Sequence, residues 1–380
     1  MGHKSLYPAI VLTILASTML LCSADDVLDF DRVRGLHQKA QSGQKLTPEE
    51  QAYYERGKAA RRKESTRIKS ASTPSAEDSS RTSTGLIPLC DLGNDHKYKG
   101  EDGGLYGAGM NTPPAAHLQA ALKMAAKVQP LDREGRPSTD GKIVLLTHGM
   151  SNTTNESQQF IQVANTDPRK SPAVLIIDGA QGGIDSRQWV SGKPARNGDQ
   201  PWDRLLQCLT SVGATPQQVQ VVWMKHAIAR VGQFGQFPEH ARQLEKDLGQ
   251  IARMLKEKFS NLQLTYISSR TFAGYATTEL NPEPFAYESA FAVRWLIQDQ
   301  IKCKEALSYT DGQMPLLLWG PYLWSDGERG RKIDALTYDR QDFRDDGTHP
   351  SDSGRQKVAE QLLKFFTTNP AAKSWFLSSS

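Results

Sequence analysis

Between Gly85 and the carboxyl terminus, short apolar runs alternate with longer segments of helical periodicity. The apolar runs have the length of strands and lie at Ile143 to Leu146, Ala173 to Ile177, Val219 to Trp223, Leu262 to Ile267 and Pro315 to Trp319. Strands that alternate with helices in this way form a parallel sheet with helices on its faces. The pattern therefore predicts an α/β fold with five parallel strands.

Three of the intervening segments repeat apolar residues at spacings of three and four, which is typical of helices packed on a core. They lie at Glu239 to Phe259, Tyr287 to Ile301 and Gly354 to Phe366. Ser353, with Gln356 three residues later, is predicted to cap the last of these helices. A cap at this point would also fix the loop that precedes the helix.

The amino terminus has the pattern of an export signal. His3 and Lys4 precede an apolar run from about Ala9 to Cys22, which is too short to span a bilayer comfortably, and Ala24 ends a small-residue cleavage site. Residues 1–24 are therefore predicted to be removed, which places the protein in the periplasm, in the cell envelope or outside the cell. A lipid anchor on Cys22 stays open as an alternative.

Residues 25–84 are predicted to be a charged, partly helical leader and a flexible tether. Thr47 has Pro48 after it and Glu50 three residues on, a helix-start pattern that predicts a short helix from Pro48 to roughly Lys63. Ser70 to Thr84 is rich in Ser, Thr, Ala and charge, as flexible tethers are. This region is a candidate for association with the envelope.

Composition limits the possible functions. With 380 residues, 38% of them hydrophobic and 23% charged, the chain has room for one large soluble domain, predicted at 85–370 with a tail at 371–380. A formal net charge of +4 is small for this length and argues against a nucleic-acid-binding protein. Cys90, Cys208 and Cys303 remain after signal cleavage, so either one disulfide forms or all three stay as thiols.

The candidate chemistry lies at the two ends of the predicted sheet region. Ser151 follows the first strand, at the carboxyl edge where parallel sheets present their functional loops. Asp346 stands three positions before His349, a spacing that lets a carboxylate orient an imidazole. Together they predict a catalytic triad in which His349 takes the proton of Ser151 and Asp346 fixes the histidine tautomer. The alternative is that Ser151 only caps a helix running from about Thr154 to Ala164.

These motifs resemble those of the SGNH hydrolase superfamily, also called GDSL-type esterases, over roughly Lys142 to Phe366. The resemblance implies a flavodoxin-like three-layer α/β/α sandwich, hydrolysis of esters, often acetyl esters on sugars, and no cofactor. It also implies an oxyanion hole made by the Ser151 and Gly182 N–H groups. Two departures are visible: Met150 replaces the acidic residue before the serine, and the asparagine expected after the third strand is absent. Lys225 is the candidate replacement there.

The sequence thus predicts an exported serine esterase that removes short acyl groups, acetyl above all, from a small-molecule or polysaccharide ester through an acyl-enzyme on Ser151. A catalytically silent carbohydrate-binding or scaffolding domain is the alternative. His148 is either a second acid or base or a structural histidine. No set of His and carboxylate ligands accompanies Asp345 and Asp346, so no metal is expected. Five aromatic residues are candidates for stacking on a sugar or for core packing: Trp189, Trp223, Trp319, Tyr322 and Trp324.

Overall fold

The computed structural model describes residues 36, 46–57, 59, 82–194 and 200–378. The chain divides into two units, Met1–Ser75 and Ala76–Ser380. In the first unit residues 48–57 are helical, and Thr47 and Glu50 form the predicted capping box through hydrogen bonds of 2.9 and 3.2 Å. The helix predicted from Pro48 is confirmed over these residues. The predicted signal and most of the leader and tether lie outside the described residues.

The second unit is built on a five-stranded parallel sheet. Its strands are β1 (Ile143–Gly149), β2 (Val174–Asp178), β3 (Val219–Lys225), β4 (Leu264–Ser268) and β5 (Leu316–Trp319). Neighbouring strands follow the order β2-β1-β3-β4-β5, and every pair is parallel. The chain order reverses at β1, so the carboxyl ends of β1 and β3 border the crevice where such sheets bind ligands. The predicted fold class is confirmed.

Helices cover both faces of the sheet. The α-helices of the second unit are α1 (Ala115–Ala125), α2 (Ser151–Thr166), α3 (Ser186–Ser191), α4 (Pro201–Ser211), α5 (Glu239–Lys258), α6 (Phe285–Ile301), α7 (Asp352–Thr368) and α8 (Pro370–Phe376). One apolar core joins the sheet to α3, α4, α5 and α6, and the other joins it to α1, α2, α7 and α8. These two cores and the sheet between them form the three layers.

Side-chain alternation along the strands builds the two cores. In β1, Val144 and Leu146 belong to the α5 side, whereas Ile143 and Leu145 belong to the α2 side. A strand whose residues are buried on both faces reads as a continuous apolar run, which is why the sequence reveals these strands. The observed strands begin and end within three residues of the predicted runs.

Both predicted ends of the domain need correction. The predicted tail at 371–380 contains all of α8 except its first residue, Pro370, and Trp375 and Phe376 of this helix are buried in the core on the α2 side. At the other end, the last residues of the predicted tether are bound to the domain, because the buried Asp326 carboxylate accepts hydrogen bonds from the Thr84 N–H at 2.6 Å and the Ser83 hydroxyl at 2.5 Å. The folded domain therefore includes 82–84 and α8.

Two smaller expectations are also settled. Ser351, and not Ser353, is the N-cap of α7, since its hydroxyl accepts the Gly354 N–H. All three described cysteines are free, so the disulfide alternative is wrong for this structure. Among the described residues, no helix is long and apolar enough to cross a membrane.

Candidate active site

Ser151 lies on the turn between β1 and α2. β1 ends at Gly149, Met150 has the extended backbone of an N-cap residue, and Ser151 is the first residue of the helix. A side chain at position 149 would come within 2.3 Å of both the Lys225 carbonyl oxygen and Thr153 Oγ1, so the turn needs glycine there. No side chain caps α2, which makes the alternative of a capping role for Ser151 wrong.

The structure brings the three predicted triad residues together. Ser151 Oγ lies 2.8 Å from His349 Nε2, and His349 Nδ1 lies 2.5 Å from Asp346 Oδ2. An ionised carboxylate only accepts hydrogen bonds, so Nδ1 carries the proton. In the neutral imidazole Nε2 is then free to accept the serine proton. This is the arrangement that a hydroxyl nucleophile needs.

The local chain around Asp346 keeps its carboxylate charged. Burial alone would raise the pKa of Asp346, but the hydrogen bond from His349 and those from the backbone N–H groups of His349 and Thr348 lower it well below its usual range. Both N–H groups donate to Asp346 Oδ1 at 2.9 Å. Asp346 therefore stays an anion, as the orienting partner of an imidazolium must.

Because Gly347 has no side chain, the segment from Asp346 to His349 can pack closely on the chain that follows β4. The φ of Gly347 is +60°, and a Cβ there would lie 1.8 Å from the Tyr275 carbonyl oxygen. The Thr277 N–H donates to the Asp346 carbonyl at 3.0 Å in the same region. The side chains of Asp346 and His349 keep 32% and 22% of their surface exposed, so solvent or a substrate can reach them.

Gly182 lies next to the serine, as predicted. A Cβ built on Gly182 would lie 3.8 Å from Ser151 Cβ. Within the described part of the chain, neither the Gly182 N–H nor the Ser151 N–H has a hydrogen-bond partner. The first N–H groups of a helix have no partner within it, so Ser151 offers a donor at the positive end of the α2 dipole. These two N–H groups are therefore candidate donors for an oxyanion.

Lys225 lies beside the nucleophile turn through its backbone, but its side chain is paired with a buried carboxylate. It continues β3 on the same face as Trp223, and its ammonium lies 2.5 Å from the Glu156 carboxylate of α2. Both side chains are fully buried, and burial lowers the pKa of Lys225 to about 8. The expectation that Lys225 replaces the missing asparagine as an oxyanion donor has no support in this geometry.

His148 and His226 form a buried pair. His148 Nδ1 lies 2.8 Å from His226 Nε2, and the His148 ring packs against Trp189 with ring centroids 4.1 Å apart. Burial lowers the pKa of His148 well below its usual value and that of His226 to about 3, so both rings are neutral. This is a structural arrangement, and it answers the question that the sequence left open for His148.

Other candidates also turn out to be structural. Of the two alternatives for five aromatic residues, core packing is confirmed and stacking on a sugar is wrong, since all five are at most 6% exposed: Trp189, Trp223, Trp319, Tyr322 and Trp324. In the described part of the chain, no cluster of three or more His, Cys, Asp or Glu residues could hold a metal ion.

Sequence reasoning missed the contacts that hold the histidine loop, residues 344–350, against α2. Asn152 donates a hydrogen bond from Nδ2 to the Thr348 carbonyl at 2.8 Å, and Arg344 donates one from Nη2 to Asn155 Oδ1 at 3.0 Å. Asn152 directly follows the predicted nucleophile, and this position was the one feature of the sequence that could have indicated its role. Arg344 had no such feature.

No protein-family model and no curated protein matches this sequence. Solved structures similar to the chain include a family 3 carbohydrate esterase of Clostridium thermocellum, with 14% identity, a TM-score of 0.36, and coverage of 60% of this chain and 97% of that one. A GDSL-like lipase of Bacteroides thetaiotaomicron has 14% identity, a TM-score of 0.30, and coverage of 65% and 95%. The catalytic domain of a Streptococcus pneumoniae peptidoglycan O-acetyltransferase has 10% identity, a TM-score of 0.30, and coverage of 63% and 99%.

These likenesses are distant, so the roles of individual residues rest on the geometry of the site itself. The order of the elements and of the predicted site residues along the chain agrees with the one that the sequence predicted. Ser151 follows β1, Gly182 follows β2, and the segment from Asp346 to His349 precedes α7.

Proposed function

We propose that this protein is a serine ester hydrolase of the SGNH type. The observation that carries the proposal is the chain of contacts from Ser151 Oγ through His349 to the Asp346 carboxylate. A hydroxyl hydrogen-bonded to an imidazole, which a charged carboxylate orients in turn, is the activated nucleophile of acyl-transfer enzymes.

The first half of the reaction forms an acyl-enzyme. Ser151 Oγ attacks the ester carbonyl carbon while its proton moves to His349 Nε2, and negative charge develops on the carbonyl oxygen. The N–H groups of Ser151 and Gly182 are the donors available for that oxygen. When the tetrahedral species collapses, the bond to the alcohol oxygen breaks and His349 returns the proton to the departing alcohol.

The second half regenerates the serine. A water molecule attacks the acyl carbon, His349 Nε2 accepts one of its protons, and a second tetrahedral species forms. Its collapse breaks the bond to Ser151 Oγ, which takes the proton back from His349, and the carboxylic acid leaves. Atoms balance without a cofactor, and Asp346 keeps its charge throughout.

The substrate and the location belong to the same proposal. We infer a short acyl group, acetyl above all, on a carbohydrate, and action in the periplasm, envelope or medium. The export signal predicted for residues 1–24 supports the location, and the resemblance to SGNH esterases supports the substrate class. Amino-terminal sequencing of the mature protein tests export, since a cleaved signal predicts a start at Asp25.

Acetate release from acetylated oligosaccharides and from a simple aryl acetate tests the activity. We expect turnover of both by the native protein and loss of at least about a thousandfold in Ser151→Ala. Ser191→Ala is the matched control, because this exposed serine at the end of α3 donates to the Gln188 carbonyl and accepts the Lys193 N–H, both within three residues of it, and the variant should keep native rates. Equal rates for Ser151→Ala and the native protein would exclude the proposed chemistry.

A further inference from the structure

Two hydrogen-bonded links join the nucleophile helix to the chain on either side of His349. The first begins at Asn152, whose side-chain amide donates to the Thr348 carbonyl at 2.8 Å. Asn152 is 2% exposed and Thr348 3%, so water does not compete for this bond. It connects the residue after Ser151 to the residue before His349.

The second link runs over the surface. Asn155 donates from Nδ2 to the Ser151 carbonyl at 2.9 Å and accepts from Arg344 Nη2 at 3.0 Å. The backbone N–H of Arg344 donates to the His349 carbonyl at 2.9 Å, and its Nε donates to the Pro350 carbonyl at 3.2 Å. This link has exposed members, so it competes with solvent and constrains the loop less than the buried one.

The bonds within the histidine loop, and those that tie it to the chain after β4, do not by themselves fix its distance from α2, although α7 also packs on α2 farther along both helices. Asp346 binds Thr348 and His349 of its own loop, and the Thr277 N–H ties the Asp346 carbonyl to the chain after β4. None of these three contacts involves the helix that carries Ser151. A loop held only in these ways would keep the Asp346–His349 pair intact while the pair shifts relative to the nucleophile.

On the basis of the proposed serine chemistry, we propose that Asn152 is a positioning residue that sets the distance between Ser151 Oγ and His349 Nε2. It acts through the Thr348 carbonyl and touches no reacting atom. Its effect on rate follows from geometry, because a misplacement of about 1 Å at a reacting pair can cost about a hundredfold. Its effect on substrate binding should be small.

Two variants test this role, with a matched control. Asn152→Ala removes the amide, and Asn152→Asp keeps the shape but sets a carboxylate against the Thr348 carbonyl. Asn111→Ala removes at least as many hydrogen bonds, since Asn111 Nδ2 donates to the Cys90 carbonyl at 2.8 Å and Asn111 Oδ1 accepts the Leu105 N–H at 3.2 Å. We expect kcat to fall about tenfold to a hundredfold in Asn152→Ala with KM within about twofold, and little change in Asn111→Ala.

Asn152→Asp adds a rescue experiment. As the pH falls and the new carboxyl gains a proton, it can donate to the Thr348 carbonyl again. Its kcat, taken as a ratio to the native value at each pH, should therefore rise toward lower pH. A purely structural role, in which the variant enzyme is only less stable, predicts no such recovery in acid.

Crystal structures of the native protein and Asn152→Ala separate this inference from the proposed function. We expect the Ser151 Oγ–His349 Nε2 distance to open from 2.8 Å to beyond about 3.5 Å, where a hydrogen bond is lost. An unchanged distance in a well-folded variant overturns the positioning role, whatever the activity. An opened distance in a protein whose Ser151→Ala variant hydrolyses as fast as the native protein upholds the positioning role and rejects the hydrolase.

Discussion

Ser151 Oγ and His349 Nε2 lie 2.8 Å apart although 198 positions separate the two residues in sequence. The contact joins the end of β1 to the loop before α7, so it depends on the tertiary fold that brings these two distant segments together. Activity should therefore disappear together with the fold, in one transition, when the domain is unfolded by denaturant.

Asp346→Asn tests the orienting role of the carboxylate. Asparagine can donate its amide hydrogen to His349 Nδ1, which forces the proton onto Nε2 and points it at Ser151. We expect kcat to fall by about a thousandfold to ten-thousandfold with the fold intact. The measurement is steady-state hydrolysis, with circular dichroism as the check on folding, and near-native kcat would contradict the role.

Gly182 provides a matched pair of variants for the oxyanion hole. Gly182→Ala keeps the N–H, and the added Cβ finds ordinary contact distance at 3.8 Å from Ser151 Cβ, so activity should stay within a few-fold of native. Gly182→Pro removes the N–H, and kcat should fall by about a hundredfold to a thousandfold. Equal kcat values for the two variants would show that Gly182 donates nothing to the reaction.

The buried Lys225–Glu156 pair predicts a loss of stability without a loss of catalytic power. Lys225→Met leaves Glu156 buried and unpaired, which should lower the free energy of unfolding by about 3–5 kcal/mol. The double variant with Glu156→Leu should recover most of that loss. Urea denaturation measures both effects. We expect kcat of folded Lys225→Met to change only a few-fold. A loss of about a hundredfold or more would show that Lys225 takes part in the reaction.

The pH dependence of stability follows from the buried histidine pair. The pKa of His226 falls from an ordinary 6.5 to about 3 in the fold, so the unfolded chain takes up the proton first as the pH drops. The free energy of unfolding is then highest above about pH 6.5 and declines toward pH 3. Where the unfolded chain binds one proton more than the folded protein, the free energy of unfolding falls by about 1.4 kcal/mol for each pH unit of acidification.

Urea denaturation of the native protein and of His226→Gln between pH 4 and pH 8 checks how the free energy of unfolding changes with pH. A lower stability of the variant at every pH does not affect the test, because the test compares only how the difference in the free energy of unfolding changes with pH. We expect the two curves to converge as the pH falls below about 6.5. Parallel curves over the whole range would mean that His226 takes up its proton in the fold as readily as in the unfolded chain.

The sequence predicts the sheet well because each strand is buried on both faces and appears as an apolar run. It fails where a polar side chain continues a buried strand. β3 extends two residues beyond Trp223, and strand alternation turns Lys225 toward Glu156 in the interior. An apolar run that ends at Trp223 gives no sign of this, because the partner carboxylate lies on a helix 69 positions away.

The prediction of the domain ends was wrong for a related reason. Pro370 begins α8, with Asn369 as its N-cap, and that short helix is buried through Trp375 and Phe376. Seven residues are too few for periodicity to be recognised in a sequence. At the other end, polar residues such as Ser83 resemble a tether until the buried Asp326 that binds them is known.

The most direct test of the account is whether Ser151 is a reactive nucleophile. A fluorophosphonate probe forms a covalent adduct only with an activated serine, and mass spectrometry locates it. We predict one adduct per native chain, on Ser151, and none in folded Ser151→Ala or His349→Ala. Absence of labelling on correctly folded native protein, or an adduct on another serine, would contradict the account, and the first of these results would favour the catalytically silent binding domain.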